Sequence, residues 1–230
     1  MRISKTKTNA EISETRVSCK CSICDSDAEK LTTLKDSRIF YHCDQCSFSG
    51  LDTKFFLNPS EEKSRYDLHQ NTIEDLGYVG MFEKFIEFSI TPYKNSITKL
   101  LDYGSGPQPV LAEILRAKDY QVEIYDSFYA QNKFKPGSFD LITSTEVFEH
   151  FHNPIKEIEK IIDLTKPNGY IAVLTRFCPE LEKFKSWFYK DDKTHVSFYT
   201  VKTFEYIAKR FNLKILKHDD FEYIVFQKCV

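Results

Sequence analysis

The sequence predicts an α/β protein. It should have a mostly parallel sheet with helices on both faces, an antiparallel strand at its C-terminal edge, and a small metal-held module in front. Three observations predict it. Strand-like and helix-like segments alternate from residue 96 onward; five of the 7 cysteines crowd between positions 19 and 46; and an acid with a spaced glycine pair, Asp102-Tyr103-Gly104-Ser105-Gly106, ends the first strand of the alternating region.

A length of 230 residues suits one large domain, or a medium domain with an appendage. Mean hydropathy is -0.42, and no apolar run approaches the roughly 18 residues that a membrane span needs. Met1-Arg2-Ile3-Ser4-Lys5 has no apolar stretch behind it, so a secretory signal is not expected and a reducing, cytoplasmic setting is. A net charge of -2 disfavours a globally basic nucleic-acid binder.

The elements follow in order. Residues 1–18 are polar and read as a flexible tail. Residues 19–50 carry the cysteine cluster and are too short to own a hydrophobic core. Asn58-Pro59-Ser60-Glu61-Glu62 is a helix start, with a polar cap and acids in the first turn. Residues 61–90 then read as helical, interrupted near Gly77 and Gly80, so 51–95 form a helical connector or lid. On that helix Tyr66 and His69, three apart, share a face. The domain 96–230 begins with a strand over 97–101. A helix over 110–118 and strands over 121–125 and 139–143 come next, the last entered through Lys135-Pro136-Gly137-Ser138. A helix over 154–164, a turn at Lys166-Pro167-Asn168-Gly169 and a buried strand over 170–175 follow. A helix over 201–211 and adjacent strands over 213–216 and 223–227 close the chain, the last two as an edge hairpin.

Cys21-Ser22-Ile23-Cys24 and Cys43-Asp44-Gln45-Cys46 make two C-x2-C turns separated by 18 residues. Each turn points two thiolates at one centre, and two turns complete a tetrahedral zinc site. Four thiolates close the coordination sphere, so Cys21, Cys24, Cys43 and Cys46 predict a structural zinc ion. Arg38-Ile39-Phe40-Tyr41 reads as the strand carrying the second turn. Cys19 and His42 stand close enough to substitute for a ligand. Glycine is missing after both turns, where Asp25 and Ser47 stand.

The Gly104–Gly106 turn lies at the carboxyl end of a strand, where open parallel sheets bind ligands. A dinucleotide site would place a third small residue where Pro109 stands, so NAD and FAD lose weight. Asp126 follows Gly106 by 20 residues at the next strand end, placed to accept both hydroxyls of a ribose. The pattern fits a nucleoside ligand lacking a pyrophosphate.

Leu101-Asp102-Tyr103-Gly104-Ser105-Gly106 resembles motif I of the class I S-adenosylmethionine-dependent methyltransferases. Asp126 matches that family's ribose-binding acid. Ser138-Phe139-Asp140-Leu141-Ile142 with Glu146-Val147-Phe148-Glu149-His150 resembles its fourth-strand motif, and Leu164-Thr165-Lys166-Pro167-Asn168-Gly169-Tyr170 resembles the turn before strand five. Together these cover residues 97–227. More narrowly, Arg65–Asn71 and Trp187–Tyr199 are similar to a bacterial group with a zinc-ribbon front end and no assigned substrate. The resemblance implies a Rossmann-like fold and S-adenosylmethionine held by Asp102, Gly104, Ser105, Gly106, Asp126, Ser144 and Thr145. One departure stands out: between Asp126 and Phe139 only about a dozen residues remain, too few for the family's usual helix and strand. The adenine must then meet Ser127-Phe128-Tyr129 or residues elsewhere.

The same resemblance places Glu146 and His150 on the loop after strand four and His195 on the loop after strand five. These are the candidates for catalysis, because histidine titrates near neutrality and suits removal of an acceptor proton. Glu146 or Asp192 is the expected polar partner. A structural reading of each remains beside this one: solvated acids at a helix start, and a histidine bonded to hold its loop. His152 reads as a helix cap. The acceptor is expected to be a small molecule with an oxygen or carbon nucleophile. An RNA or protein acceptor gripped by the zinc module is the alternative, and a non-catalytic S-adenosylmethionine-binding protein is the third reading. Residues 1–50 hold 8 Lys/Arg against 7 Asp/Glu, which speaks against a strong phosphate-binding module. Ser144-Thr145-Glu146 stands where base-amine methyltransferases carry an Asn-Pro-Pro-Tyr-type sequence.

Overall fold

A computed structural model describes residues 18–31, 37–68 and 71–230. The expected tail over 1–18 falls outside the described residues as far as residue 17, and so does His69. Strands β1 (Ser18–Lys20), β2 (Asp27–Leu31), β3 (Phe40–His42) and β4 (Ser49–Leu51) form an antiparallel ribbon around the cysteine turns. Asp25 and Ser47 take φ 61° and 55°, and their N–H groups donate to the Cys21 and Cys43 carbonyls at 2.9 and 2.7 Å. These two residues therefore adopt the left-handed turn that glycine usually serves.

Helices α1 (Pro59–Tyr66) and α2 (Leu76–Ser89) follow. The Asn58 side chain caps α1 and Glu61 returns the bond, closing a capping box. The break expected near Gly77 and Gly80 lies earlier instead, between the two helices. Asp75 Oδ1 accepts from the N–H groups of Gly77 and Tyr78, both at 3.0 Å, so both glycines sit inside α2 behind a strong cap.

The main sheet is built from β5 (Lys99–Tyr103), β6 (Gln121–Tyr125), β7 (Phe139–Thr145) and β8 (Thr165–Leu174). Helices α3 (Val110–Ala117) and α4 (Pro154–Leu164) connect them. After a short α5 (Leu181–Phe184) and β9 (Ser197–Phe198) come α6 (Val201–Arg210), β10 (Leu213–His218) and β11 (Tyr223–Lys228). The spatial order is β10-β11-β8-β7-β5-β6, with β5 to β8 parallel and β11 antiparallel to both its neighbours. The C-terminal hairpin thus closes one edge, with β10 outermost. The pairing of β7 with β8 jumps from Phe139↔Thr165 to Leu141↔Tyr170, which accommodates the predicted turn at 166–169 within one strand.

Alternation along the strands divides the core. Leu101, Ile142, Val173 and Ile224 pack toward α4 and α6, while Leu100, Leu141, Ala172 and Val225 pack toward α2 and α3. Two adjustments position the site. Asp126 closes directly onto Ala130 in an isolated bridge, so among the described residues no strand lies outside β6. And β9 pairs with β4, Gly50 opposite Ser197, so the cysteine-bearing ribbon continues into the loop before α6.

Candidate active site

The carboxyl ends of β5, β6 and β7 open into a cavity of about 940 Å³, at the upper end of the range for small-molecule pockets. Asp102, Gly104, Ser105, Gly106, Asp126, Thr145, Glu146, His150 and His195 all line it. Ser144 does not: it is fully buried behind the wall. The strand places successive side chains on opposite faces, and Thr145 faces the cavity instead.

Gly104 has φ 85°, and a Cβ there would overlap the Val147 side chain, so the first glycine is required by close approach of two loops. Gly106 has φ 66° and open space around its Cα. Asp126 Oδ2 accepts from Gly106 N–H at 3.0 Å, and Oδ1 accepts from Phe128 and Tyr129 N–H at 2.8 and 3.1 Å. Backbone bonds thus aim this carboxylate while lone pairs remain for a ligand. The Ser105 hydroxyl is buried with no hydrogen-bond partner. An orphaned donor on a cavity wall fits a polar ligand. Burial pushes Asp102 up to about 7, although Thr143 lies within hydrogen-bond range. Ser127, Phe128 and Tyr129 line the wall beyond Asp126. Across from them α1 contributes Tyr66, whose ring packs on Phe128 at 5.7 Å, and Tyr129 donates to Asp67 Oδ1 at 2.6 Å.

At the other end, Glu146 turns the chain at φ 53°, its N–H donating to the Leu174 carbonyl at 2.8 Å. Glu149 is fully buried. Thr175 Oγ1 donates to its Oε2 at 2.8 Å, and the Tyr189 hydroxyl lies 2.5 Å from its Oε1 and 3.1 Å from Glu146 Oε2. Burial and these two carboxylates push the Tyr189 phenol far up, so it keeps its proton. Burial, and after it Glu149, pushes Glu146 up to about 9, so near neutral pH this carboxyl is protonated, with its Oε2 3.1 Å from the Tyr189 hydroxyl.

His150 and His195 meet edge to face with centroids 4.8 Å apart. His150 Nδ1 lies 3.0 Å from the Thr194 carbonyl, and His195 Nδ1 lies 2.6 Å from the Tyr189 carbonyl. A carbonyl only accepts, so both rings carry hydrogen on Nδ1, and a ring that is neutral has its lone pair on Nε2. Burial, and next the His150 ring, keep His195 below its usual range and therefore neutral. Asp192 makes no hydrogen bond to either ring, although its charge and that of His195 act on each other. Its Oδ1 accepts from Thr194 N and Oγ1 at 2.9 and 2.7 Å and its Oδ2 from Arg65 at 3.3 Å; against burial, these bonds and the nearby His195 hold it at about 2. It braces the loop. His152 also reaches the cavity, stacked on Phe56, and the cap of α4 is Asn153. Sequence reasoning missed Thr175 and the role of Tyr189, whose contacts span 26 to 43 residues.

The four cysteine sulfurs lie within 4.8 Å of one another, with Cys21–Cys46 at 3.6 Å and Cys24–Cys43 at 3.4 Å. A tetrahedron with bonds of about 2.3 Å has edges of about 3.8 Å, so the four thiols fit a metal ion. Cys19 and His42 stand outside this group.

A family model described as a methyltransferase domain matches residues 75–218, and the chain belongs to this family, within the class I S-adenosylmethionine-dependent methyltransferases. Among solved structures it is similar to an O-methyltransferase family protein from Burkholderia thailandensis, with a TM-score of 0.51 and 13% identity over 77% of this chain and 62% of that one. It is also similar to the YcgJ protein from Bacillus subtilis, with a TM-score of 0.41 and 15% identity over 60% of this chain and 69% of that one. At such identities the likeness to the first shows the fold alone. No curated protein matches the sequence. Among the described residues no helix is long and apolar enough to cross a membrane.

Proposed function

We propose that this enzyme transfers a methyl group from S-adenosylmethionine to a small molecule through an oxygen or carbon nucleophile. The observation that carries the reading is the continuity of one cavity, from the Gly104–Gly106 turn and Asp126 at one end to His150 and His195 at the other. Asp126 holds the ribose hydroxyls, Ser105 and Thr145 meet the remainder of the ligand, and Phe128 and Tyr129 flank the adenine. S-adenosylmethionine supplies a methyl group on a sulfonium, already an excellent leaving group. The chain therefore aligns the acceptor, excludes water and takes up a proton. A neutral imidazole with its lone pair on Nε2 is suited to the last task; Glu146, protonated, is a donor that orients the acceptor. The labour divides along the chain: 19–50 is a zinc-held brace, 51–95 a lid whose Tyr66 closes over the cavity, and 96–230 the transfer domain. Clustered free thiols support a cytoplasmic setting.

Calorimetry with S-adenosylmethionine is expected to give micromolar binding, about -8 kcal/mol. Asp126→Ala should weaken it by about 1–3 kcal/mol, and NADH should not bind. Normal binding by the variant would refute the cofactor site. Labelled S-adenosylmethionine incubated with a fractionated cell extract should mark the small-molecule fraction. Label confined to protein or RNA would overturn the small-molecule acceptor. With an acceptor in hand, His150→Ala or His195→Ala should lower turnover by about 10²–10⁴-fold while cofactor affinity is kept.

A further inference from the structure

We propose that Glu149, His150 and His195 form a second metal site, distinct from the four cysteines, which binds one first-row divalent cation at the acceptor end of the cavity. This rests on the methyltransferase reading above and deepens it: with the cation bound, the two histidines are its ligands in place of the proton acceptor, and the cation would take an oxygen acceptor, a hydroxyl group.

One ligand atom from each of the three residues lies within 4.8 Å of the other two, and His150 Nε2 stands 4.0 Å from Glu149 Oε1. Bonds of about 2.1 Å allow ligand atoms to stand up to about 4.2 Å apart, so side-chain shifts of a few tenths of an ångström close the site. The hydrogen bonds behind the ligands are those a metal site needs. Both rings give their Nδ1 hydrogen to a backbone carbonyl, which orients each ring and makes Nε2 the ligand atom. Thr175 and Tyr189 hold the carboxylate from behind.

Charge points the same way. Glu149 is fully buried, and no Lys or Arg among the described residues lies within ion-pair distance of it. A buried carboxylate is costly unless its charge is met, and a cation beside it removes that cost. Two imidazoles and one carboxylate favour transition metals over magnesium or calcium, and three protein ligands leave positions open. His150 and His195 line the cavity while Glu149 stands behind them, so the open positions face the acceptor. An acceptor hydroxyl there loses its proton to water more readily, because the cation stabilises the alkoxide. Its oxygen then forms the new C–O bond as the C–S bond breaks, with the bonding pair passing to sulfur to leave a neutral thioether.

The test uses the full chain with its cysteine site loaded with zinc, and Mn(II) as the probe, because thiolates compete poorly for manganese. Electron paramagnetic resonance of unbound Mn(II) should count one site per chain. Glu149→Gln, His150→Ala and His195→Ala should each weaken it about tenfold or more. Calorimetry with S-adenosylmethionine runs beside it on every protein. Cofactor binding without a Mn(II) site, or with one that the variants leave unchanged, overturns the metal site and spares the methyltransferase reading. Absent cofactor binding in the unaltered chain overturns that reading instead. Should Glu149→Gln fail to fold, the histidine variants, at partly exposed positions, decide the matter.

Discussion

Two carboxylates stand at the ends of neighbouring strands in different hydrogen-bonding surroundings. Asp126 is aimed by three backbone N–H groups, whereas Asp102 is buried and pushed up to about 7. An unfolded chain ionises its aspartates near about 3.9. The folded state therefore binds the Asp102 proton more tightly. Its contribution is fully present below pH of about 4, declines as pH rises toward about 7, and above that costs of the order of 4 kcal/mol. S-adenosylmethionine is a cation at its sulfonium and amine, and a cation beside Asp102 favours the ionised form. Affinity should accordingly rise between pH 6 and 8, and the rise should be smaller in Asp102→Asn, while the apo variant gains stability at pH 8. Calorimetry and thermal melts check both signs; equal pH slopes in the two proteins would remove Asp102 from the site.

Among the elements, α2 shows how one cap resets a boundary. Two glycines in its first turns cost helix stability, roughly 1 kcal/mol each against alanine, and from composition alone they read as a break. Asp75 satisfies two of the orphan N–H groups there, and Phe82, Phe85 and Ile86 bury against the sheet, which together hold the helix. Asp75→Ala should lower stability by about 1 kcal/mol in a urea titration. Because Tyr78 and Met81 of this helix line the cavity, cofactor affinity should fall with it. The loop from 188 to 196 is held by outside elements as well. Arg38 donates to the Lys190 carbonyl at 2.8 Å, Arg65 reaches Asp192, and Val196 N–H donates to the Glu149 carbonyl at 2.8 Å.

At the scale of the whole molecule the cysteine-bearing ribbon backs the loop that carries His195. Its strand β4 pairs with β9, two residues past His195, and Leu51 N–H donates to the Val196 carbonyl at 2.9 Å. Phe40 and Leu51 share an apolar cluster with Phe184, Tyr189, Val196 and Phe198, and Arg210 on α6 donates to the Ile23 carbonyl inside the first cysteine turn. Structural zinc sites supply on the order of 10 kcal/mol of folding energy, more than so small a ribbon can find by burial. Purified protein should hold one zinc per chain at the four cysteines. Cys43→Ser should lose it, unfold residues 19–50 and lower turnover through His195, with faster hydrogen exchange over 188–198. Full zinc loss without any change in exchange there would show that the ribbon does not brace the loop.

By itself the sequence determined whatever depends on near neighbours. The two cysteine turns, the Asn58 cap, the bounds of β6 and α4, the Gly104–Gly106 turn and the acid 20 residues beyond it all follow from spacing along the chain and local chemistry. The missing strand after Asp126 could be counted. What only the tertiary structure decided is what faces what. Ser144 and Thr145 are equivalent in sequence, and the pleat alone turns one inward and one to the cavity. Glu149 beside His150 reads as a solvated acid until Thr175 and Tyr189, 26 and 40 residues away, enclose it. The pairing of His150 with His195 joins two loops 45 residues apart, through carbonyls that any residue type could have supplied. Backbone acceptors carry no sequence signature, so their positions appear only when the chain is folded.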